Sequence, residues 1–337
     1  MACAVKIPST RLAGVTILTV VALGAIAAPV LAPNDADARF RNLLYAPPTW
    51  PHLVYEGYVR AGFIYRWLLV SRLEQRYEQD RSRAVPLTWF SGGKLVRSSM
   101  NSAPLMLLGA DSFGRDIFGR LLYGARTSLA LAFVATSGAL LIGLLVGGLA
   151  GYAGGIVDQL LMRLGELMIV LPTIYVVLAL RAALPLVLAP GAVFALMAAI
   201  FALVGWPFVA RGVRGIVSSE KRLEYAVAAQ SIGAGPPRLL FRHLLPASRG
   251  FIAVQATLLV PAFIVAEATL SYVGLGFSDP IVSWGSMLHD ASDVVALAEF
   301  PWALAPAAAI FLVVLGFNLI VQAPPVTPAR WPRAGVP

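Results

Sequence analysis

The sequence predicts an all-α membrane protein with about six transmembrane helices. Three observations carry that prediction. The chain is 58% hydrophobic and only 13% charged, whereas a soluble domain carries roughly a quarter charged residues; too little polar surface exists to cover a core of this length. The apolar residues gather in runs close to the ~20 residues that cross a hydrocarbon layer of roughly 30 Å. The basic residues concentrate in particular loops between those runs, as polytopic proteins require. The net charge of +9 therefore belongs to membrane orientation and contact with anionic lipid, and no nucleic-acid partner is expected.

Five apolar stretches stand out, at 12–31, 127–152, 160–209, 251–273 and 301–321. The third is too long for one helix and is divided into spans 3 and 4 at a turn around 184–191, near Arg181 and Pro185. Lys6 and Arg11 precede span 1, and Val30-Leu31-Ala32 resembles a signal-peptidase site. The apolar run exceeds the usual ~7–15-residue signal core and Pro33 follows the cut, so an uncleaved anchor is expected. The loop 211–249 holds Arg211, Arg214, Lys221, Arg222, Arg238, Arg242 and Arg249 against Glu220 and Glu224, and the tail holds Arg330 and Arg333. The loop 274–300 holds Asp279, Asp290, Asp293 and Glu299 without a Lys or Arg. Positive loops stay inside, which predicts a cytosolic N-terminus, 211–249 loop and C-terminus.

These boundaries divide the chain into 1–32 (tip and first span), 33–126 (a long external or interfacial segment), 127–322 (a five-helix core) and 323–337 (a proline-rich tail). The segment 33–126 is rich in arginine yet falls outside by parity; segments longer than ~60 residues are largely exempt from the charge rule. Two readings stand for it. Residues 56–80 form a helix lying along the interface, or the segment is an external loop packed on its own complex.

The most polar stretch of the C-terminal half is 221–246. Residues 221–231 read as one helix, with Leu223, Val227 and Gln230 beside Ala226, and with Ala226, Ala228 and Ala229 forming a small-residue surface. Gly233 and Gly235 can stop it. Pro236 and Pro237 suit the first turn of a second helix, where Leu239, Leu240, His243 and Leu244 form an apolar stripe that Pro246 ends. Arg238 and Arg242 share a face. Residue chemistry alone leaves two readings: a docking element for a cytosolic partner, or a solvated linker with snorkelling arginines.

Within the spans, Glu267 is an ionisable group among Phe263, Ile264, Val265 and Leu270. It either lines a polar path or packs against Ser271, Thr269 or a backbone carbonyl. Arg163 and Glu166 are three apart and are expected to pair. Pro172 is expected to kink span 3. Gly143, Gly147 and Gly151 permit close helix packing. His243 reads as a packing residue; it and the isolated His52 and His289 lack a second ligand at metal spacing, and the single cysteine, Cys3, excludes a disulfide framework. No metal site is expected. No GxxxxGK[ST] loop occurs; Ser91-Gly92-Gly93-Lys94 lacks its flanking spacing and follows no convincing strand. No catalytic triad or metalloprotease pattern occurs, so the chain is not read as an enzyme.

The stretch 224–246 resembles the EAA loop of ABC importer membrane subunits: Ala228-Ala229, then Gly233 after three residues, then Leu245-Pro246. The resemblance extends to dipeptide, oligopeptide and nickel permeases of the C type. It is carried by Gly109-Ala110-Asp111-Ser112-Phe113-Gly114-Arg115-Asp116, by 120–129, by Ala150-Gly151-Tyr152-Ala153-Gly154-Gly155 with Asp158 and Met162-Arg163, by 266–276, by Trp284-Gly285-Ser286-Met287-Leu288 and by Phe317-Asn318-Leu319. It implies the type I, MetI-like permease fold and one half of a channel for peptides, with nickel or another small solute as the alternative cargo. It implies ATPase coupling through Glu224, Ala228, Ala229, Gly233, Arg238, His243, Leu245 and Pro246. It implies a second permease subunit, two ATPases that hold ATP and Mg, an external solute-binding protein, and a place in the bacterial inner membrane among its lipids. No cofactor is expected on this chain. The acidic residue of the EAA triplet falls at Val227, and after Leu319 the chain departs from the family into 321–325 and a proline-rich end. The rival class, a self-sufficient secondary transporter, calls for inverted repeats of spans, and none is evident.

Overall fold

The computed structural model describes residues 9–55, 58–172, 175–176, 179, 189–293 and 298–321. The expected turn near Arg181 and Pro185 and the tail beyond Val321 lie outside these residues.

Helix α1 (Ser9–Ile26) and the short α2 (Ala28–Leu31) form the first span. A four-stranded sheet follows, and then the core helices: α3 (Ile117–Ala153), α4 (Gly155–Val170), α5 (Pro190–Glu220), α6 (Glu224–Ser231), α7 (Pro236–Leu239), α8 (Arg249–Tyr272), α9 (Trp284–Asp290) and α10 (Ala305–Val321). Five helical stretches among the described residues are long and apolar enough to cross a membrane: Ser9–Ile26, Ile117–Ala153, Pro190–Glu220, Pro236–Tyr272 and Pro301–Val321. The expected third span is described through α4, which starts at Gly155 after a break at Gly154, both at positive φ. It stops at Val170, with Leu171 extended ahead of Pro172, and a new turn begins where the Tyr175 N–H donates to the Pro172 carbonyl at 2.9 Å. Pro172 thus interrupts the helix rather than kinking it, because the residue before a proline is pushed out of the α region.

Small residues decide how the bundle closes. Along α3, Ala132, Ala135, Ala139, Gly143, Gly147 and Gly151 make one buried stripe. A Cβ on Gly143 would stand 2.5 Å from the Val209 Cβ, one on Gly151 would stand 2.6 Å from the Arg214 carbonyl, and one on Gly147 would overlap the Ala210 backbone. The close packing expected of these glycines is therefore made against α5. The α1–α10 contact repeats the device: a Cβ on Gly14 would stand 2.6 Å from the Gly316 carbonyl. Dispersion over such close-packed backbones supplies what a hydrophobic effect cannot supply in lipid. Phe201 stacks on Phe263 with ring centroids 5.4 Å apart, joining α5 to α8.

The segment between spans 1 and 2 is not an interfacial helix. Strands β1 (His52–Tyr55), β2 (Tyr58–Ser71), β3 (Arg76–Ser91) and β4 (Lys94–Ser98) form an antiparallel meander in sequence order. The β-branched and aromatic content of β2 favours a strand. Val85 and Leu87 point inward, alternating with the exposed Pro86 and Thr88, and pack with Ile64, Ala103 and Leu105. Ser91-Gly92-Gly93-Lys94 does follow a strand, but it leads into another strand. Gly92 and Gly93, at φ 61° and 76°, make a two-residue hairpin turn that demands positive φ at both positions.

Candidate functional site

At 37 residues, α3 is about 55 Å long. The sheet sits near its first turn. Near its last turn sit α6 and α7, so the two polar ends of the molecule lie at opposite ends of one rod.

The α6–α7 element is fixed by its own sequence. Lys221 to Leu223 form a turn rather than part of the helix. The Lys221 Nζ donates to the Tyr152 carbonyl at 2.7 Å and lies 4.8 Å from that ring's centroid. Helix α6 begins at Glu224, whose carboxylate suits the positive end of the helix dipole. It ends at Gly233, φ 89°, with the Ala234 N–H returning to the Ala229 carbonyl at 3.0 Å, a Schellman closure that requires the left-handed residue. Pro236 and Pro237 open α7, where a missing N–H costs nothing.

The two faces of α6 differ. Ala226 and Ala229 are buried with Leu239, Leu240, Leu244, Leu245, Val209, Val213 and Val217. Leu223, Tyr225, Val227 and Phe241 are exposed and Ile232 is 87% exposed. Ala228, Gln230, Arg238 and Arg242 also face outward, His243 is half-buried, and Leu245 is buried 2.8 Å from where a Cβ of Gly148 would stand. Among the predicted residues, Ala229 and Leu245 therefore seat the element. Glu224, Ala228, Gly233 and Arg238 present it. Pro246 does not end the second helix. After α7 the chain passes through a π turn at Leu240–Leu244 and a 3-10 turn at Leu245–Ser248 straight into α8. Pro246 occupies the first turn of that 3-10 segment, where proline breaks no bond.

Arg163 and Glu166 do not pair with each other. Glu166 reaches Arg211 at 3.8 Å, and Asp158 binds the Arg214 guanidinium, with Nε to Oδ1 at 2.9 Å. Both pairs tie α4 to α5 and line an open cavity of about 710 Å³ that Arg163 also borders. Glu267 is fully buried. Its carboxylate accepts from the Ser128 hydroxyl at 2.9 Å and the Ser271 hydroxyl at 2.7 Å. Ser128 in turn accepts from the Trp284 N–H, and Ser271 from the Phe277 N–H. Thr269 turns instead to the Val265 carbonyl. Glu267 thus pins α3, α8 and the start of α9 together.

At the sheet end stands a charge cluster that sequence reasoning missed. Arg115, 1% exposed, donates from Nε to Asp111 at 2.7 Å, from Nη1 to Asp279 at 3.0 Å and from Nη2 to Asp290 at 2.5 Å. Arg120, equally buried, donates to Asp290 at 3.1 Å, and Arg39 closes on Asp279 at 3.1 Å. Burial raises the Asp290 carboxyl above its ordinary value against the pull of Arg115 and Arg120. Asp116 caps α3 through the Phe118 N–H at 3.0 Å and accepts from Asn34 at 3.1 Å. Burial lifts it to about 6, opposed by those donors. The signal lay in the acidic 274–300 loop, whose carboxylates, without a basic residue of their own, call for cations elsewhere. Among the described residues no three or more His, Cys, Asp or Glu side chains gather in a metal-binding group.

A family profile described as the binding-protein-dependent transport system inner membrane component matches residues 115–323. The oligopeptide transport system permease protein OppC of Bacillus subtilis (strain 168) is 40% identical over 213 residues, 63% of this chain and 67% of that protein. The dipeptide transport system permease protein DppC of the same organism is 35% identical over 294 residues, 85% of this chain and 86% of that one. The glutathione transport system permease protein GsiD of Pectobacterium atrosepticum is 38% identical over 213 residues, 63% of this chain and 68% of its own length.

Proposed function

Because the chain belongs to the family of binding-protein-dependent transport system inner membrane components, we propose that it is one half of the membrane channel of an ATP-driven ABC importer of di- and oligopeptides. The chain is an integral membrane transport subunit. A second, homologous permease completes the pore, two ATPases drive it, and a soluble binding protein delivers substrate on the side of the sheet. The N-terminus, the α6–α7 element and the C-terminus face the cytosol, in keeping with the arginines of the 211–249 loop. Peptide cargo is favoured over nickel or another small solute by the oligopeptide, dipeptide and glutathione permeases it resembles.

The observation that carries the mechanism is the two-faced α6. One face is locked on the bundle through Ala226 and Ala229, while Leu223, Val227 and Ile232 present a bare apolar surface at the end of the spans. An ATPase groove that accepts this face moves the bundle when it closes. By resemblance to the EAA loop the acidic position falls at Val227, so the contact relies on shape and apolar burial. ATP and Mg stay on the ATPases. Reconstitution of the four-subunit assembly with its binding protein tests the reading. ATP-dependent uptake of a labelled dipeptide is expected, and uptake by this chain alone, without ATP, would sink it.

A further inference from the structure

The β3–β4 hairpin has a feature that an isolated external sheet does not need. Phe90, next to the turn, is 79% exposed and holds φ 53°, a conformation costly for a bulky side chain. Trp89 beside it is half exposed. Lys94 and Arg97 follow on β4, and Arg97 is exposed. The position of this hairpin is fixed by two contacts. The Lys94 Nζ meets the Asp35 Oδ1 at 2.9 Å. The Asn34 side chain donates to the Leu105 carbonyl at 2.7 Å, next to the cluster in which Leu105 packs against Val85 and Leu87 of the sheet. Asn34 and Asp35 directly follow Pro33, just past Leu31, where the first span ends. The hairpin therefore stands beside the point where the first span leaves the hydrocarbon. A cavity of about 290 Å³ opens there between Asp35, Lys94, Arg97 and Asn101.

We propose that the β3–β4 hairpin is a membrane-interface anchor. Phe90 and the edge of Trp89 enter the boundary between headgroups and acyl chains of the leaflet in which span 1 ends. Lys94 and Arg97 stand at phosphate depth above them. Aromatic rings favour this boundary because one part of the environment is apolar and the rest wet. The guanidinium of Arg97 suits a lipid phosphate, which it can hold with two parallel donors. Lipid is favoured over a protein partner because the hairpin is tied to the end of a span, where the bilayer surface passes. Burial of Phe90 in that boundary offsets its backbone strain, which water cannot do. The anchor rests on the reading of α1 as a lipid-facing span.

The test uses the full-length chain in its assembly, reconstituted in nanodiscs of phosphatidylethanolamine and phosphatidylglycerol. Cys3, the only cysteine, is replaced in a Cys3→Ser background. Nitroxides are placed at Phe90→Cys, at Val20→Cys on the exposed side of α1, and at Leu73→Cys on the β2–β3 tip, which is 99% exposed. Power saturation with oxygen and with a soluble nickel chelate reads depth. The oxygen-to-nickel accessibility ratio at Phe90 is expected to be roughly threefold or more above that at Leu73, yet below that at Val20, as for a side chain at ~5–10 Å depth. A ratio at Phe90 equal to that at Leu73 overturns the anchor. So does low accessibility to both reagents, which means that a protein surface covers the hairpin. A Val20 label without high oxygen accessibility overturns instead the reading of α1, and the two failures are thereby separated. In the same assay Arg97→Glu is expected to move the Phe90 label toward water, and an unchanged depth assigns no phosphate contact to Arg97.

Discussion

Removal of Arg115 has a consequence that follows directly from its three carboxylate partners. Its side chain is 1% exposed and touches Asp111, Asp279 and Asp290, of which Asp279 is nearly half exposed and the other two are largely buried. Arg115→Ala leaves those two carboxylates to Arg120, whose Nε lies 3.6 Å from Asp111. Breaking a buried ion pair by deleting one partner costs about 3–5 kcal/mol, chiefly from the stranded charge. That is a factor of roughly 10²–10⁴ in the folded population. Arg115→Lys retains one charge but not the three-way geometry and should lose about half as much. The assay is unfolding of the detergent-solubilised protein by titration with sodium dodecyl sulfate at pH 5 and pH 8. Asp290 is already pushed up by burial, and loss of a cation pushes it further, so the variant takes up a proton there more readily as the pH falls. The deficit of Arg115→Ala should therefore be smaller at pH 5 than at pH 8. A loss below about 1 kcal/mol, or an equal loss at both pH values, would refute the reasoning that stranded charge is the cause.

Asp116, raised to about 6 in the fold, binds a proton more readily folded than unfolded. Its contribution is therefore fully present below about pH 4 and lost as pH rises through about 6, by roughly 3 kcal/mol. Asp116→Asn should flatten the stability profile across that window, which thermal unfolding at pH 4.5 and 7 would reveal. Gly147→Leu must displace the Ala210 backbone, so a loss of about 1–3 kcal/mol or more is expected, read as a lower unfolding midpoint. Ile232→Glu places a charge on the bare face of α6. Uptake and stimulation of the ATPases by the loaded binding protein should both fall at least tenfold, with the unfolding midpoint unchanged. Glu267→Gln keeps the shape and one acceptor for Ser128 or Ser271, so uptake should persist; its abolition in a folded assembly would assign a required charge.

Long apolar runs identified the spans because crossing a bilayer is chiefly a question of length and of the absence of charge. Gly233 and the Pro236-Pro237 pair made the α6–α7 element legible because backbone constraints act locally. The sheet was not legible. Its strands carry Arg66, Arg76, Arg81 and Arg83, and the register between β2 and β3 shifts between Tyr65 and Arg66, which breaks the alternation. Gly92-Gly93 was the signal that could have found it. The Arg115 cluster was also beyond reach, since its partners Asp279 and Asp290 lie 164 and 175 positions away. Pairing of Arg163 with Glu166 was plausible along one helix, but a cross-helix arginine on α5 took the carboxylate.

The unbroken passage from Pro236 to Tyr272 gives the molecule a lever. The π turn and the 3-10 turn take the place of a flexible loop between α7 and α8. The 37 residues make a rod of about 55 Å. A tilt of about 5° around its midpoint swings each end by roughly 2 Å in opposite senses. The far end is gripped: the Tyr272 carbonyl meets the His289 ring at 2.7 Å, and Ser271 holds Phe277. A tilt imposed at Pro236 is then carried along the helix to the hydrogen bonds at Ser271 and Tyr272, and the two ends of the rod become two readings of one angle.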